Sequence, residues 1–162
     1  MEIFAIPAFT DNYIWAVVEK DQFVVVDPGD SLVVKEFAEK KGYHDALMLD
    51  YRGYVAEGTG ANIFFIKNKD IHTPIPDCFL NGITRQAVIK MTSEQGFKIT
   101  EKHIMPEEIG NYDEAFLTGT AAEISPISSI DLVIFTTGVN STTFKFMGDF
   151  SEMVKSASYN LP

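Results

Sequence analysis

The sequence predicts an α+β fold. Segments rich in β-branched and aromatic residues dominate the first third of the chain. One segment near the middle repeats apolar residues at helical spacing. Helices and strands then alternate without a regular strand–helix–strand rhythm, which sets the fold apart from a parallel α/β sheet. The 162 residues suit one domain, or one domain with a short appendage, and 46% hydrophobic residues can supply a core. A net charge of −10, from 13 basic and 23 acidic residues, argues against nucleic acid or an anionic membrane as partner. No apolar run reaches about 18 residues, so no membrane helix is expected. The acidic start Met1-Glu2-Ile3 lacks the layout of a signal peptide, so the expected location is cytoplasmic.

Tyr13–Glu19 and Phe23–Asp27 read as a hairpin about Lys20-Asp21-Gln22. Asp27-Pro28-Gly29-Asp30 is a turn, because Pro fixes φ and Gly supplies a positive one. Ser31 caps a helix to Lys41, and Gly42 stops it. Ala46–Asp50, Tyr54–Glu57 and Asn62–Lys67 read as strands, the last followed by the turn Asn68-Lys69-Asp70. Thr84 opens a helix carrying Ala87, Val88 and Met91, which ends at Gly96. Phe97–His103 alternates as a strand, and Pro106–Ile109 suits a helical first turn. Ala115–Thr118 and Leu132–Thr136 are short strands, and Ser141–Ser156 is the last helix.

Familiar catalytic patterns are few. His44, His72 and His103 stand far apart, so they do not make a metal site. Cys78 stands alone and is expected to be a buried, inert thiol. Gly58-Thr59-Gly60 lacks the third glycine and following helix of a dinucleotide loop. Two other segments have the composition of an anion cradle. Asn81-Gly82-Ile83-Thr84 is a glycine turn running into a helix N-terminus. Thr118-Gly119-Thr120-Ala121-Ala122 is a small, hydroxyl-rich turn after a strand. Taken alone, both also fit ordinary turns. Glu57 at a strand end is either solvated or faces a cationic ring nitrogen.

These pieces occur together in a known order. Gly42-Tyr43-His44-Asp45-Ala46-Leu47-Met48-Leu49-Asp50, Tyr54-Val55-Ala56-Glu57-Gly58-Thr59-Gly60, Leu80-Asn81-Gly82-Ile83-Thr84-Arg85 and Leu117-Thr118-Gly119-Thr120-Ala121-Ala122-Glu123 resemble the C-terminal part of branched-chain amino acid aminotransferases. That family belongs to fold-type IV of the pyridoxal 5'-phosphate (PLP) enzymes. The resemblance runs over about residues 35–160, and Phe135-Thr136-Thr137-Gly138 also fits it. It implies the large-domain portion of that fold, PLP as cofactor, and amino acids or 2-oxo acids as small-molecule partners. By the same resemblance Glu57 pairs with the pyridine nitrogen and Leu80 packs on the ring. Ile83 and Thr84 hold the phosphate, Thr120 adds a second phosphate contact, and Gly119 shapes that turn. The amides of Thr120 and Ala121 face the substrate carboxylate. Ala61 stands where the family usually has Glu.

The front of the chain departs from that pattern. In the family a Schiff-base lysine lies roughly thirty residues before the pairing Glu. Counting back from Glu57 reaches Phe23-Val24-Val25-Val26, and the nearest lysines are Lys20 and Lys35. Ile6-Pro7-Ala8-Phe9-Thr10-Asp11-Asn12-Tyr13-Ile14-Trp15, with Val26-Asp27-Pro28-Gly29-Asp30, resembles instead the start of glyoxalase II, a hydrolase of the metallo-β-lactamase fold. This second likeness covers about residues 1–30. The histidine-rich metal motif expected after Ala46–Leu49 is replaced by Asp50-Tyr51-Arg52-Gly53. The chain thus reads as a chimera of a β-hairpin segment, 1–34, and an aminotransferase-like domain, 35–162, joined between Asp30 and His44. The resemblance implies transamination of branched-chain amino acids with 2-oxoglutarate, weak or lost here for want of the lysine and small domain. A non-catalytic PLP- or phosphate-binding module is the alternative, and a thioester hydrolase without metal ligands is the least favoured. A homo-oligomer is expected, because apolar surface that the small domain covers in the family would otherwise be exposed.

Overall fold

Alternation of inward and outward side chains builds a first, small layer. The computed structural model describes residues 1–10, 12–19, 22–26 and 29–158. β1 (Glu2–Ala8), β2 (Asn12–Glu19) and β3 (Gln22–Val26) form an antiparallel three-stranded sheet in that order. Phe4 pairs with Ala16 and Ile6 with Ile14, which puts these side chains on one face. α1 (Ser31–Lys40) covers that face with Val34 and Ala38. The opposite face presents Ile3, Ala5, Pro7, Tyr13 and Trp15, all exposed. β1 is one strand more than the sequence pattern announces. Pro7 weakens the strand signal, but it is tolerated on this edge strand. The expected turns Lys20-Asp21-Gln22 and Asp27-Pro28-Gly29-Asp30 fall partly outside the described residues.

Asp30, rather than Ser31, caps α1. Its extended backbone lets the carboxylate accept from Leu32 N at 3.0 Å. Gly42, at φ +91°, follows the helix as expected.

β4 (Leu47–Leu49), β5 (Val55–Gly58), β6 (Asn62–Lys67) and β7 (Asp70–Thr73) begin the larger sheet. α2 (Ile83–Glu94) crosses from β7 to β8 (Lys98–Glu101), which runs parallel to β7. A 3₁₀ helix (Pro106–Asn111) leads into β9 (Glu114–Gly119) and β10 (Glu123–Ile127). The hairpin β11 (Ser129–Ile130) and β12 (Val133–Ile134) precedes α3 (Thr142–Ser158). The strand order is β10-β9-β6-β5-β4, with β7 also on β6.

β6 organises this part of the core. Phe64 and Ile66 face α2 and α3, in one cluster with Val88, Phe116, Phe146 and Phe150. Ile63 and Phe65 point the other way, against Ile104, Ile109 and Phe135. Phe64 stacks on Phe116 with ring centroids 4.9 Å apart. Each such buried side chain contributes about 1.5–3 kcal/mol. The start of α3 rests on buried Glu114, which accepts from Thr142 N and Thr143 N at 2.8 Å each.

Several expected boundaries shift. α2 opens at Ile83 and not Thr84, with Gly82 at the cap position and no side-chain cap bond, so Thr84 does not cap the helix. The 97–103 strand contracts to β8, and Leu132–Thr136 contracts to β12, because little of either segment finds a strand partner. Among the described residues no helix is long and apolar enough to cross a membrane.

Candidate functional site

The layer beneath α2 and α3 turns polar at one end. Glu57 on β5 pairs with Asn62 on β6, and Asn62 pairs with Thr118 on β9. Directly opposed residues project to the same face, so the three form one row beyond Phe64 and Phe116. Asn62 is 5% exposed and Thr118 1%, while Glu57 is half-buried.

Asn62 ties this row to the loop before α2. Its Nδ2 donates to Glu57 Oε2 at 3.1 Å and to the Leu80 carbonyl at 2.9 Å. Its Oδ1 accepts from Gly82 N at 3.2 Å, an amide that also donates to the Leu80 carbonyl at 3.0 Å. A Cβ on Gly82 would lie 2.5 Å from that oxygen, so the close approach requires glycine. With no side chain among the described residues capping it, the first turn of α2 leaves amide groups and a positive dipole end open to an anion.

Burial raises the Glu57 carboxyl to about 7. Its cross-strand neighbours, Met48 and Asn62, carry no charge. A cation placed opposite would offset that desolvation. Thr118 Oγ1 is buried without a hydrogen-bond partner among the described residues. Gly119 ends β9, and a Cβ there would meet the Gly60 carbonyl at 3.4 Å and Ala61 Cβ at 3.5 Å. The turns after β5 and β9 therefore press together. Asp45 steadies the first of them by accepting from Thr59 Oγ1 at 2.5 Å and Thr59 N at 3.3 Å.

Of the residues singled out by sequence, Glu57, Leu80 and the start of α2 are thus joined through Asn62. Leu80 and Ile83 are 82% and 88% exposed, apolar groups held in the open. Thr84 is partly buried in the first turn of α2, whereas Thr120 and Ala121 are exposed after β9 at the same end of the sheet. Sequence reasoning missed Asn62 as the hub, for which the one hint is a polar residue opening an otherwise apolar strand. It also missed Arg85, fully buried on α2. Arg85 Nη1 donates to Asn81 Oδ1 at 2.8 Å, and its Nη2 donates to the Pro74 carbonyl at 2.9 Å and Glu101 Oε2 at 2.5 Å. It anchors the loop before α2 at Asn81.

Two other places hold polar groups. Cys78 is exposed, contrary to the buried thiol expected, because its loop lies at the surface. Asp50, Asp77 and Cys78 converge, but the Arg52 guanidinium fills the space between them, 2.7 and 2.8 Å from the carboxylates and 3.5 Å from the sulfur. An open cavity of about 630 Å³, lined by Lys67, Asp70, His72, Lys102, Glu108 and Tyr112 among others, sits toward the far end of β6. It includes none of the row residues.

The family model described as amino-transferase class IV matches residues 22–130. A probable branched-chain-amino-acid aminotransferase of Rickettsia felis is 49% identical over 102 residues, covering 63% of this chain and 35% of that protein. The crystal structure of a branched-chain aminotransferase from Thermoproteus uzoniensis with norvaline superposes at a TM-score of 0.73. It is 38% identical, over 78% of this chain and 42% of that one. A branched-chain amino acid aminotransferase from Thermobaculum terrenum in its PLP form gives 0.73 at 37% identity, with the same coverage of 78% and 42%. The chain spans about a third of the length of the curated relatives it matches.

Proposed function

The chain belongs to amino-transferase class IV, and from that premise we propose that it holds PLP at the Glu57–Asn62 end of its larger sheet. It is a branched-chain aminotransferase-like domain with the fold of the fold-type IV structures. The residues present fit the cofactor. Among the described residues a half-buried carboxylate has no cation paired with it, a helix N-terminus has no side-chain cap, and a buried hydroxyl has no partner. The single observation that carries the reading is the Asn62 bridge, which holds the carboxylate and the uncapped helix end in one unit.

In this reading Glu57 takes the pyridine nitrogen, where a positive ring would lower its carboxyl from about 7 and keep it charged. Leu80 covers the ring. The amides of Ile83 and Thr84, with the Thr84 hydroxyl, hold the phosphate at the α2 dipole. Thr120, on the turn shaped by Gly119, adds a second phosphate contact, and the Thr120 and Ala121 amides orient a substrate carboxylate. Bound PLP supplies the electron sink that moves an amino group between an amino acid and a 2-oxo acid.

Branched-chain specificity and turnover are themselves part of the proposal, since the chain covers a third of its relatives. We assign it weak turnover or none, so that binding is its principal activity. β3, reached by counting back from Glu57, offers no lysine over Gln22–Val26. We read residues 1–34 as the glyoxalase II-like segment, which the separate small sheet supports, while the class IV match already begins within it, at residue 22. The outer face of that sheet, with Ile3, Tyr13 and Trp15 exposed, supports a homo-oligomer. Incubation with PLP, borohydride reduction and mass spectrometry test the assignment. The expected result is PLP bound reversibly with no modified lysine, whereas stoichiometric modification of one lysine would overturn the non-covalent reading.

A further inference from the structure

We propose that Asn62 is the positioning residue of this site: one buried amide that orients the Glu57 carboxylate and fixes the Leu80–Gly82 loop, so that the ring-pairing group and the anion-binding helix end share one register. The proposal deepens the PLP reading above and rests on it for its functional meaning.

Two backbone groups decide which way the Asn62 amide points. The Leu80 carbonyl only accepts, so it requires Nδ2, and the Gly82 N–H only donates, so it requires Oδ1. With both ends set, the second N–H of Nδ2 is the group presented to Glu57, at 3.1 Å. Asn62 therefore always offers Glu57 a donor and never an acceptor. A donor favours the charged carboxylate, which opposes the effect of burial at this position. Aspartate could not donate to either acceptor, leucine could make none of the three bonds, and glutamine would overfill the space that a Cβ on Gly82 already violates.

The charged groups around Glu57 leave Asn62 in this role. Met48 on β4 is apolar, and Asp45 is committed to the Thr59 hydroxyl and amide. The cation of the α2 first turn, Arg85, is committed to Asn81, Pro74 and Glu101. The same bridge takes up the Gly82 amide, which leaves the next amides, Ile83 and Thr84, to face an anion.

The test uses the full chain without cofactor, then with PLP, in wild type, Asn62→Leu, Asn62→Ser and Arg85→Lys. Carboxyl-carbon NMR follows the Glu57 titration, and amide exchange follows Gly82. Both Asn62 variants should move the Glu57 midpoint up by about one unit. They should also speed Gly82 exchange, about threefold because that amide keeps its bond to the Leu80 carbonyl, and weaken PLP binding about tenfold. Arg85→Lys loosens the same loop without touching Glu57, so it should speed Gly82 exchange and leave the midpoint unmoved. An unshifted Glu57 midpoint in both Asn62 variants, or an equal shift in Arg85→Lys, would overturn the proposal. Should wild type bind no PLP while the Asn62 variants still shift Glu57, the cofactor reading falls and the coupling stands. PLP binding that is equal in all four, with Glu57 unmoved, sinks the coupling alone.

Discussion

Replacing Glu57 with Gln should stabilise the cofactor-free chain increasingly as pH rises above about 4.5, and in full above about 7. Glu57 is moved from an ordinary 4.5 to about 7 by desolvation. The folded state therefore holds its proton more tightly than the unfolded state. Between these two values the folded chain binds more protons, so stability falls as pH rises through the window. Below about 4.5 both states are protonated and the loss vanishes; above about 7 it is complete. The shift corresponds to roughly 3.4 kcal/mol at about 1.36 kcal/mol per unit. Because the side chain is only half-buried, solvent screening reduces this to about 1–2 kcal/mol. Gln keeps the shape, still accepts from Asn62, and never ionises. At pH 8.5 the variant should melt about 2–8 °C above wild type, at about 2–4 °C per kcal/mol for a chain of this size. At pH 4 the two should coincide. Calorimetric melts at both pH values, with urea titrations beside them, measure the difference. Saturating PLP at pH 7.5 should reverse the order, because it stabilises the form that binds it better. A stability difference that is the same at pH 4 and pH 8.5, or a less stable Gln variant at pH 8.5, would refute the reasoning.

Three further outcomes are expected. Thr84→Ala removes a hydroxyl from the anion-facing turn of α2 and should weaken PLP binding about five- to thirtyfold in calorimetric titration, the value of roughly 1–2 kcal/mol for a bond to a charged group. Arg85→Met strands the Pro74 carbonyl, Asn81 and Glu101 and should cost about 2–4 kcal/mol in urea unfolding. A loss under about 0.5 kcal/mol would show that these bonds add nothing net over water. Trp15→Lys places a charge on the apolar outer face of the small sheet, where the one tryptophan is half-exposed. Sedimentation should show the wild type associating as concentration rises, with its Trp15 emission shifting to the blue, and the variant staying monomeric. Wild type that remains monomeric with unchanged emission contradicts the assembly.

The sequence disclosed the chemistry-bearing strands better than the scaffold around them. Asn62–Lys67 matches β6 to the residue because four apolar residues and a following Asn68 turn leave no other reading. α1 and α2 stop where Gly42 and Gly96 take positive φ. β1 and β10 were missed because Pro7 and Pro126 interrupt them, and edge strands tolerate proline without announcing themselves. β7 is short and half polar, and it is a strand because β6 and β8 flank it. In the candidate site, Glu57 and the α2 start stand out from local motifs, and Leu80 from the family resemblance alone. Asn62 does not, because its role depends on a cross-strand partner five residues back and a loop eighteen residues on. Cys78 followed the usual burial of its residue type as an expectation, but the Asp50–Arg52–Asp77 ion pairs keep its loop at the surface.

Titrating PLP into the wild-type chain and its Glu57→Ala and Thr84→Ala variants tests the cofactor assignment most directly. Saturable binding by wild type is expected, with affinity reduced at least about fivefold in each variant, equivalent to roughly 1 kcal/mol. Equal affinities in all three proteins would mean that PLP, if it binds, binds elsewhere.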